Sequence, residues 1–287
     1  MRKIGFIGVG IMGKSMVRNL MKAGFELHIF ARNMTKVADV IGEGAIFHSS
    51  IADCVKDCGE VITMVGFPQD VEDVYFTPGN ILSSARQGAC LIDMTTTSPT
   101  LAERICREGK KLGFHVMDAP VTGGDTGAKN GTLSILVGGD KEDYEACLPI
   151  FRAMGTNINY QGPAGCGQHA KLANQIMIAG ALSGVCEALT YARSRGLDLE
   201  TLLKSVATGA AGSKQLDTFG PKILAGDFAP GFFMKHFVKD MTLAEEEARE
   251  RHLHLEVLSQ VLTNYRELME EGLGDLGTQA LMKHYEK

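Results

Sequence analysis

Short apolar runs alternate with amphipathic segments along the first half of the chain. The apolar runs have the length and residue types of buried strands, and most of the segments between them have helical spacing with one charged face, as in SPTLAERICREGKKLG. Strands are predicted in KIGFI, ELHIFARN, EVITMVG (60–66), ACLIDMT (89–95), HVMDAPV (115–121) and LSILVGG (133–139). Strands separated by helices form a mostly parallel sheet covered on both faces. The pattern therefore predicts a doubly wound α/β domain.

The pattern changes after Pro163, where helical periodicity replaces this alternation. A helix is predicted from Gly167 to about Arg195, and glycine-containing breaks at 196, 209–212, 226–231 and 272–277 separate further helices. The most apolar window, residues 172–192, is interrupted by polar side chains, which favours a core helix over a membrane span. The sequence thus predicts two domains, an α/β domain over 1–163 and an all-α domain over 164–287.

Composition and charge narrow the class of partner. The net charge of −5 gives no basic surface of the kind that binds nucleic acid or anionic lipid. The seven cysteines include no C-x-x-C pair, which argues against a zinc site and favours reduced thiols. A strand begins within three residues of the N-terminus and leaves no room for a signal peptide. We therefore expect a cytoplasmic protein that binds a small molecule, and neither nucleic acid, a membrane nor a metal.

A glycine-rich turn follows the first strand and opens a helix. The turn reads Gly8-Val9-Gly10-Ile11-Met12-Gly13 and matches G-x-G-x-x-G. In this context the first glycine permits a tight turn, the second lets the backbone approach a pyrophosphate, and the third lets helix and strand pack closely. The N–H groups at the helix start would then hold the phosphates. We predict a dinucleotide-binding turn made of these six residues.

The end of the second strand bears on which dinucleotide binds. A carboxylate at this position binds the adenine ribose of NAD and repels a 2′-phosphate. The chain instead has Phe30-Ala31-Arg32-Asn33, in which Arg32 can pair with a phosphate and stack on adenine. The alternative is an arginine that is simply solvated at a strand end. Arg32 and Asn33 are candidate cofactor residues, and NADP is expected in preference to NAD.

Three further loops reach the edge where ligands bind in doubly wound sheets. Phe67 and Pro68 follow the third predicted strand, and Thr96 lies in a threonine run after the fourth. That run can also supply the N-cap of the helix that begins near Pro99. The third loop, Thr122-Gly123-Gly124, offers a hydroxyl and consecutive N–H groups suited to a carboxylate, and it is equally compatible with an ordinary turn.

A lysine stands near the start of the long apolar helix, in GCGQHAKLAN (165–174). Burial of an ammonium group is costly unless the group is paired or loses its proton, so Lys171 needs a reason to be there. Asn174 follows three residues later and shares a helix face with Lys171. A lysine that reaches outward to solvent from the helix start is the structural alternative.

These motifs, in this order, resemble the β-hydroxyacid dehydrogenase family. The resemblance rests on FIGVGIMG (6–13), DAPVTGG (118–124), GCGQHAKLAN (165–174) and FFMKHFVKDMTLA (232–244), and it covers essentially the full chain. It implies a Rossmann domain followed by a helical domain, with catalysis in the cleft between them. It also implies that Lys171 is catalytic and that Asn174 helps to position the lysine and the substrate.

The resemblance also implies roles near the last motif and exposes two departures. It brings Lys239 toward the nicotinamide and makes Phe232 and Asp240 neighbours of the substrate. Asp240 can instead be a salt-bridge partner of Lys239 or Lys235. Thr122 stands where serine is common, and Gln175 stands where many members have a second asparagine.

The expected activity is reversible hydride transfer between a short semialdehyde acid and its hydroxy acid, as in 2-hydroxy-3-oxopropionate reductase or 3-hydroxyisobutyrate dehydrogenase. Imine-reducing relatives generally replace the lysine, and scaffold relatives typically lose it, so Lys171 argues against both alternatives. No basic cluster in the matched motifs suits a sugar phosphate. A homodimer or homotetramer is expected, because the long helix is apolar nearly all round.

Overall fold

The structure is a computed structural model that describes residues 2–286, and it divides into two compact units, 1–171 and 172–287. The division falls after Lys171, inside a long helix, whereas the predicted boundary at 163 lies before that helix. Each unit has a hydrophobic core of its own.

The first unit is built on one sheet. Its strands are β1 (Lys3–Ile7), β2 (Glu26–Phe30), β3 (Ile46–His48), β4 (Glu60–Thr63), β5 (Cys90–Asp93), β6 (His115–Asp118), β7 (Val121–Thr122), β8 (Leu133–Gly138) and β9 (Gly155–Gly162). The order is β3-β2-β1-β4-β5-β6-β8-β7, with β9 also paired to β8. Strands β1 to β6 are parallel, and only the pairs β6–β8 and β7–β8 are antiparallel. The predicted doubly wound, mostly parallel sheet is confirmed.

Helices cover both faces of this sheet. They are α1 (Ile11–Lys22), α2 (Ala38–Gly42), α3 (Ile51–Val55), α4 (Pro68–Phe76), α5 (Ile81–Ser84), α6 (Pro99–Lys111), α7 (Gly124–Asn130) and α8 (Lys141–Met154), with a 3-10 turn at Met34–Val37. Successive residues of the central strands enter different cores: Val61 of β4 joins one apolar cluster and Ile62 joins the other. This alternation explains why the strands read as continuous apolar runs in the sequence.

The sequence pattern did not predict β3 and β9, and it merged β7 with β6. The strands β3 and β9 belong to polar or short segments, and the solvent-facing side chains of β9 carry no apolar run that could signal a strand. The prediction of one strand over 115–121 was wrong, since the chain leaves β6 after Asp118 and forms β7 only at Val121. Pro120 lies between them and has no N–H for a ladder, which accounts for the break.

The second unit is helical, as predicted. The long helix α9 (Cys166–Ser194) leads into it and is followed by α10 (Leu199–Val206), α11 (Lys214–Leu224), α12 (Met234–Glu250) and α13 (Glu256–Glu270), then a 3-10 helix at Thr278–His284. By length and composition α9 could cross a membrane, a test that the core helix of a soluble protein also passes. Its buried side chains, among them Leu182 and Leu189, join the core of the second unit.

Candidate functional site

The three glycines of the predicted dinucleotide turn meet three different surroundings. Gly8 has φ +98°, and a side chain there would collide with the Met64 carbonyl at the end of β4. A side chain at Gly13 would collide with the carbonyl of Gly8, so this glycine lets α1 pack against the turn. A Cβ at Gly10 would meet nothing within 4 Å. Only Gly10 therefore leaves its backbone open on the outer side of the turn.

The start of α1 suits an anion. Gly10 is its N-cap residue, no side chain caps the helix, and its first turn contains no acidic residue. The positive end of the helix dipole is therefore not neutralised from within the helix. Of the other turn residues, Val9 is buried, Met12 packs on the core, and the side chain of Ile11 is exposed.

At the end of β2 the structure adds a carboxylate that the local sequence lacks. The side chain of Arg32 is 87% exposed, and its Nη1 lies 3.4 Å from Oδ1 of Asp70 in the first turn of α4. The other carboxylate oxygen of Asp70 accepts a hydrogen bond from the backbone N–H of Phe67. Asn33 caps the following 3-10 turn by accepting from the N–H of Thr35. Within residues 2–286 the side chain of Arg32 is thus mostly in solvent, and the contact that holds it is a surface ion pair with Asp70.

The loop after β4 is tied to the loop after β5. The hydroxyl of Thr95 accepts a hydrogen bond from the N–H of Val65 at 2.9 Å. Phe67 is one of the few large apolar side chains exposed in the described chain, and Pro68 is the first residue of α4. Both residues thus lie at the carboxyl end of β4, the edge at which ligands bind in doubly wound sheets. Half-buried Thr96 lies beside this connection.

Sequence reasoning missed a buried carboxyl group beneath these loops. Asp93 ends β5, and its Oδ1 accepts from the Thr63 hydroxyl at 2.7 Å and from the Thr95 N–H at 3.1 Å. The Thr63 hydroxyl in turn lies 3.2 Å from the Tyr75 hydroxyl. Within residues 2–286 the second oxygen, Oδ2, has no hydrogen-bond partner, and burial raises the pKa of Asp93 to about 6. The sequence signal that could have indicated this buried group is an aspartate within the apolar run ACLIDMT (89–95).

A second buried aspartate holds the start of α9. Asp118 ends β6, directly beside Asp93 in register, and its two oxygens accept from the N–H groups of Gly165 and Gln168 at 2.8 Å each. Burial raises the pKa of Asp118 despite these two bonds. Side chains at Gly138 or Gly167 would collide with this carboxylate, so the glycines let helix and sheet approach closely.

Gln168 continues the attachment toward the threonine run. Its side chain is fully buried, accepts from the N–H of Thr97 at 3.0 Å and donates to the carbonyl of Thr95 at 2.7 Å. Ser98 is the N-cap of α6, which confirms the capping role expected within the run. The first turn of α9 is thereby fixed to the ends of β5 and β6.

Lys171 lies one turn beyond this anchored segment. Its side chain is 6% exposed and it makes a polar interaction, so it is not a lysine that extends into solvent. The predicted outward-pointing alternative is therefore wrong. Burial of an ammonium group is maintained only when other contacts compensate for its lost hydration.

The predicted carboxylate loop has a backbone that requires glycine. Gly123 and Gly124 have φ values of +131° and +63° in succession, a conformation that L side chains rarely adopt. Thr122 ends β7 and is half-buried, and α7 begins at Gly124. Asp125 lies in the first turn of α7, next to this loop.

In the second unit, three of the predicted site residues are linked by hydrogen bonds and an ion pair. Asn174 donates from Nδ2 to Oε1 of Gln175 at 2.8 Å, and Gln175 donates from Nε2 to Oδ2 of Asp240 at 2.6 Å. Nζ of Lys239 lies 2.9 Å from Oδ1 of Asp240. Asp240 thus pairs with Lys239 and not with Lys235, which pairs with Asp275.

Phe232 precedes Lys239 and Asp240 on the chain and stacks on a histidine. Its ring lies 6.3 Å from that of His236 with an interplanar angle of 25°. His236 stands one turn before Lys239 and Asp240, and burial together with the Lys239 charge lowers its pKa. Sequence reasoning did not single out His236 or the bridging role of Gln175. In residues 2–286 no group of three or more His, Cys, Asp or Glu side chains is arranged to hold a metal.

The residues present fit a dinucleotide. An uncapped helix start and an open backbone at Gly10 form a cradle for phosphates. Arg32 beyond β2 and the exposed Phe67 beyond β4 stand at the carboxyl ends of strands on either side of β1.

Comparison with known proteins identifies the family. The model of the NAD-binding domain of 6-phosphogluconate dehydrogenase matches residues 3–162, and that of NADP-dependent 3-hydroxyisobutyrate dehydrogenase matches residues 165–285. An uncharacterised oxidoreductase of Bacillus subtilis is 48% identical over 286 residues, covering 100% of this chain and 99% of its own. The 2-hydroxy-3-oxopropionate reductase of Escherichia coli is 36% identical over 254 residues, 88% of this chain and 86% of its own.

A solved structure agrees over the full length. The 3-hydroxyisobutyrate dehydrogenase of Mycobacterium tuberculosis with L-serine superposes with a TM-score of 0.91 at 28% identity, covering 99% of this chain and 98% of that one. The expected Rossmann domain and helical domain are confirmed. The chain therefore belongs to the β-hydroxyacid dehydrogenase family and is an NAD(P)-dependent oxidoreductase of hydroxy acids.

Proposed function

We propose that the protein interconverts a short semialdehyde acid and its hydroxy acid, with Lys171 as the general acid and base. The observation that carries the proposal is the burial of Lys171 on a helix turn anchored by Asp118 and Gln168. A rigidly attached backbone is what a proton-transfer group needs, because small misplacements are costly to the rate. Family membership supports the same assignment.

A nicotinamide cofactor held by the glycine-rich turn would supply a hydride to the carbonyl carbon or take one from the carbinol carbon. In the reductive direction the Lys171 ammonium stabilises the negative charge that develops on the carbonyl oxygen and then donates a proton to it. In the oxidative direction the neutral amine removes the proton of the hydroxyl group. Asn174, three residues further along the helix, helps to orient the lysine and the substrate oxygen.

The substrate carboxylate is assigned to Thr122, Gly123 and Gly124. The hydroxyl of Thr122 and the N–H groups of a glycine pair with positive φ values suit a carboxylate without supplying a full charge. Phe232 and Asp240 complete the proposed substrate contacts, and Thr96 and Lys239 are proposed beside the nicotinamide. The names of two relatives, together with the L-serine in the mycobacterial structure, define the candidates: 2-hydroxy-3-oxopropionate, 3-hydroxyisobutyrate and L-serine.

NADP is the proposed preferred cofactor, held by the glycine-rich turn, Arg32, Asn33, Phe67 and Pro68. The exposed guanidinium of Arg32 can exchange its surface contact with Asp70 for a 2′-phosphate, since a solvated ion pair holds it only weakly. The protein is further proposed to be cytoplasmic and to assemble as a homodimer or homotetramer.

The decisive variant is Lys171→Ala, assayed in both directions with each candidate substrate. We expect kcat to fall about 10²–10⁴-fold while NADPH binding, followed by fluorescence titration, is retained. Lys204→Ala is the matched control, because Lys204 is an exposed lysine of the helical unit. Wild-type kcat in Lys171→Ala would refute the assignment. Tight cofactor binding without turnover of any substrate would indicate a scaffold, and turnover of cyclic imines alone would indicate an imine reductase.

A further inference from the structure

The side chains of Asn174, Gln175 and Asp240 form a chain of hydrogen bonds, and the carboxylate of Asp240 decides which atoms donate and which accept. Gln175 and Asp240 are each 1% exposed, so their polar atoms have to be satisfied within the protein. Oδ1 of Asp240 lies 2.9 Å from Nζ of Lys239, and a carboxylate in such an ion pair accepts hydrogen bonds and donates none. Gln175 must therefore turn its NH₂ group, and not its carbonyl oxygen, toward Asp240.

The same constraint passes to the next residue. With Nε2 directed at Asp240, Gln175 presents Oε1 to Asn174, and this oxygen can only accept. Asn174 must then contribute its own NH₂ group to this bond. The amide oxygen of Asn174, Oδ1, is the atom that the chain of hydrogen bonds does not use. The carboxylate of Asp240 thereby fixes the orientation of both amides.

We propose that Asp240, acting through Gln175, sets the amide of Asn174 so that it offers Oδ1, a hydrogen-bond acceptor, to the active site. Gln175 is thus a positioning residue, and this role rests on the proposed function of Lys171 and Asn174. An acceptor at this place selects a donor, which the Lys171 ammonium or a substrate hydroxyl provides and which a carbonyl or ether oxygen does not. The proposed role of Oδ1 is therefore to hold the Lys171 ammonium in the reductive direction and to accept from the substrate hydroxyl in the oxidative direction.

The length of the Gln175 side chain is part of this arrangement. Its amide spans two short contacts, 2.8 Å to Asn174 on α9 and 2.6 Å to Asp240 on α12. Asparagine, which is one methylene shorter, cannot keep both contacts without movement of a helix. The length of the glutamine side chain is in this way coupled to the position of Asp240.

Gln175→Glu gives a test with a specific signature. A protonated glutamic acid reproduces the glutamine pattern, since its O–H can donate to Asp240 and its carbonyl oxygen can accept from Asn174. The ionised form cannot donate and places a second negative charge beside Asp240. The groups that face this position are Asp240 and Lys239, with His236 one turn earlier on α12.

We expect the ratio of variant to wild-type kcat to be lowered about tenfold or more at about pH 9 and to recover as the pH falls to about 6, because burial and the adjacent carboxylate favour the protonated acid. The melting temperature of the variant relative to the wild type should follow the same direction, independently of any substrate. Gln175→Met, which breaks the chain without a charge, should lower kcat at every pH. Gln260→Glu on α13, where a glutamine donates to Asn264, is the matched control and should leave the ratio unchanged.

A Gln175→Glu variant with pH-independent ratios of kcat and of melting temperature would overturn the inference. Full wild-type kcat in Gln175→Met would overturn it as well. Failure of the proposed function gives a different result, because Lys171→Ala would then retain kcat in the same assay, while the melting temperatures of Gln175→Glu would still report on the hydrogen bonds.

Discussion

At the scale of single residues, one residue type serves three purposes in the glycine-rich turn. Gly8 is required by its positive φ and by the carbonyl of Met64, Gly13 by close packing, and Gly10 by the open space above its backbone. Gly8 and Gly13 are thus required by the fold, whereas Gly10 is required by the ligand that approaches its backbone. The sequence pattern G-x-G-x-x-G therefore reports two folding constraints and one ligand constraint.

Arg32 provides a prediction about cofactor choice. Arg32→Ala should lower kcat/KM for NADPH while leaving that for NADH nearly unchanged, since the lost charge pair with a 2′-phosphate is worth about 1–3 kcal/mol. Asp70→Asn is the matched opposite variant, because it removes the carboxylate 3.4 Å from the guanidinium. Asp70→Asn should raise the ratio of kcat/KM for NADPH to kcat/KM for NADH. Comparison of kcat/KM for the two cofactors is the measurement, and a wild-type preference for NADH would contradict the NADP assignment.

At the scale of elements, buried aspartates join the ends of strands to the loops and helices that follow. Asp118 caps α9 from β6, and Asp93 links β4, β5 and the Thr95 loop. Two carboxyl groups side by side in an apolar sheet are costly to ionise. Their cost is offset by hydrogen bonds that fix the backbone on which the proposed site residues stand.

The raised pKa of Asp93 has a defined consequence for stability. Its folded-state pKa of about 6 lies above the unfolded value of about 3.9, so the folded protein binds more protons between these pH values. The contribution of this group to the free energy of unfolding is thus present at about pH 4 and lost as the pH rises through 6. The asparagine of an Asp93→Asn variant does not titrate. The free energy of unfolding of this variant, relative to that of the wild type, should therefore rise by up to about 3 kcal/mol from pH 4 to 7.

Urea denaturation at a series of pH values measures this difference. Asp275→Asn is a suitable control, because Asp275 is an exposed aspartate of the second unit that pairs with Lys235. A difference between Asp93→Asn and wild type that stays constant with pH would contradict the account of Asp93.

At the scale of the whole molecule, α9 leaves an apolar stripe uncovered. The stripe consists of Met177, Ala181, Gly184, Ala188 and Tyr191, whose spacing of four and three residues keeps them on one helix face. Met177 and Tyr191 are 68% and 64% exposed. Small residues between two larger ones allow another helix to approach closely, so we propose a second copy of this chain as the partner of the stripe.

Gly184→Arg tests the assembly. A Cβ at Gly184 meets nothing within 4 Å, so the arginine fits the isolated chain but places a charge in the proposed interface. We expect sedimentation to show dimers or tetramers of the wild type at micromolar concentration and monomers of the variant. Gly42→Arg, at an equally open glycine of the first unit, should assemble like the wild type. A monomeric wild type would contradict the proposal.

What the sequence determined by itself is local in character. The glycine-rich turn, the central strands, the capping residue Ser98 and the helical second unit follow from backbone conformation, burial periodicity and capping, each of which depends on neighbours within a few residues. The candidate residues Lys171, Asn174 and Asp240 were found in the same way, from short motifs and a family resemblance.

Only the tertiary structure decided the features that join distant parts of the chain. Asp118 and Gln168 are 50 residues apart, Gln168 and Thr95 are 73 apart, and Gln175 and Asp240 are 65 apart. The edge strands β3 and β9 are likewise defined by the partners that they pair with and not by apolar runs of their own. The carboxylate of Asp70 beside Arg32 belongs to the same class. Such contacts depend on which elements become neighbours in the fold, and no local pattern encodes that choice.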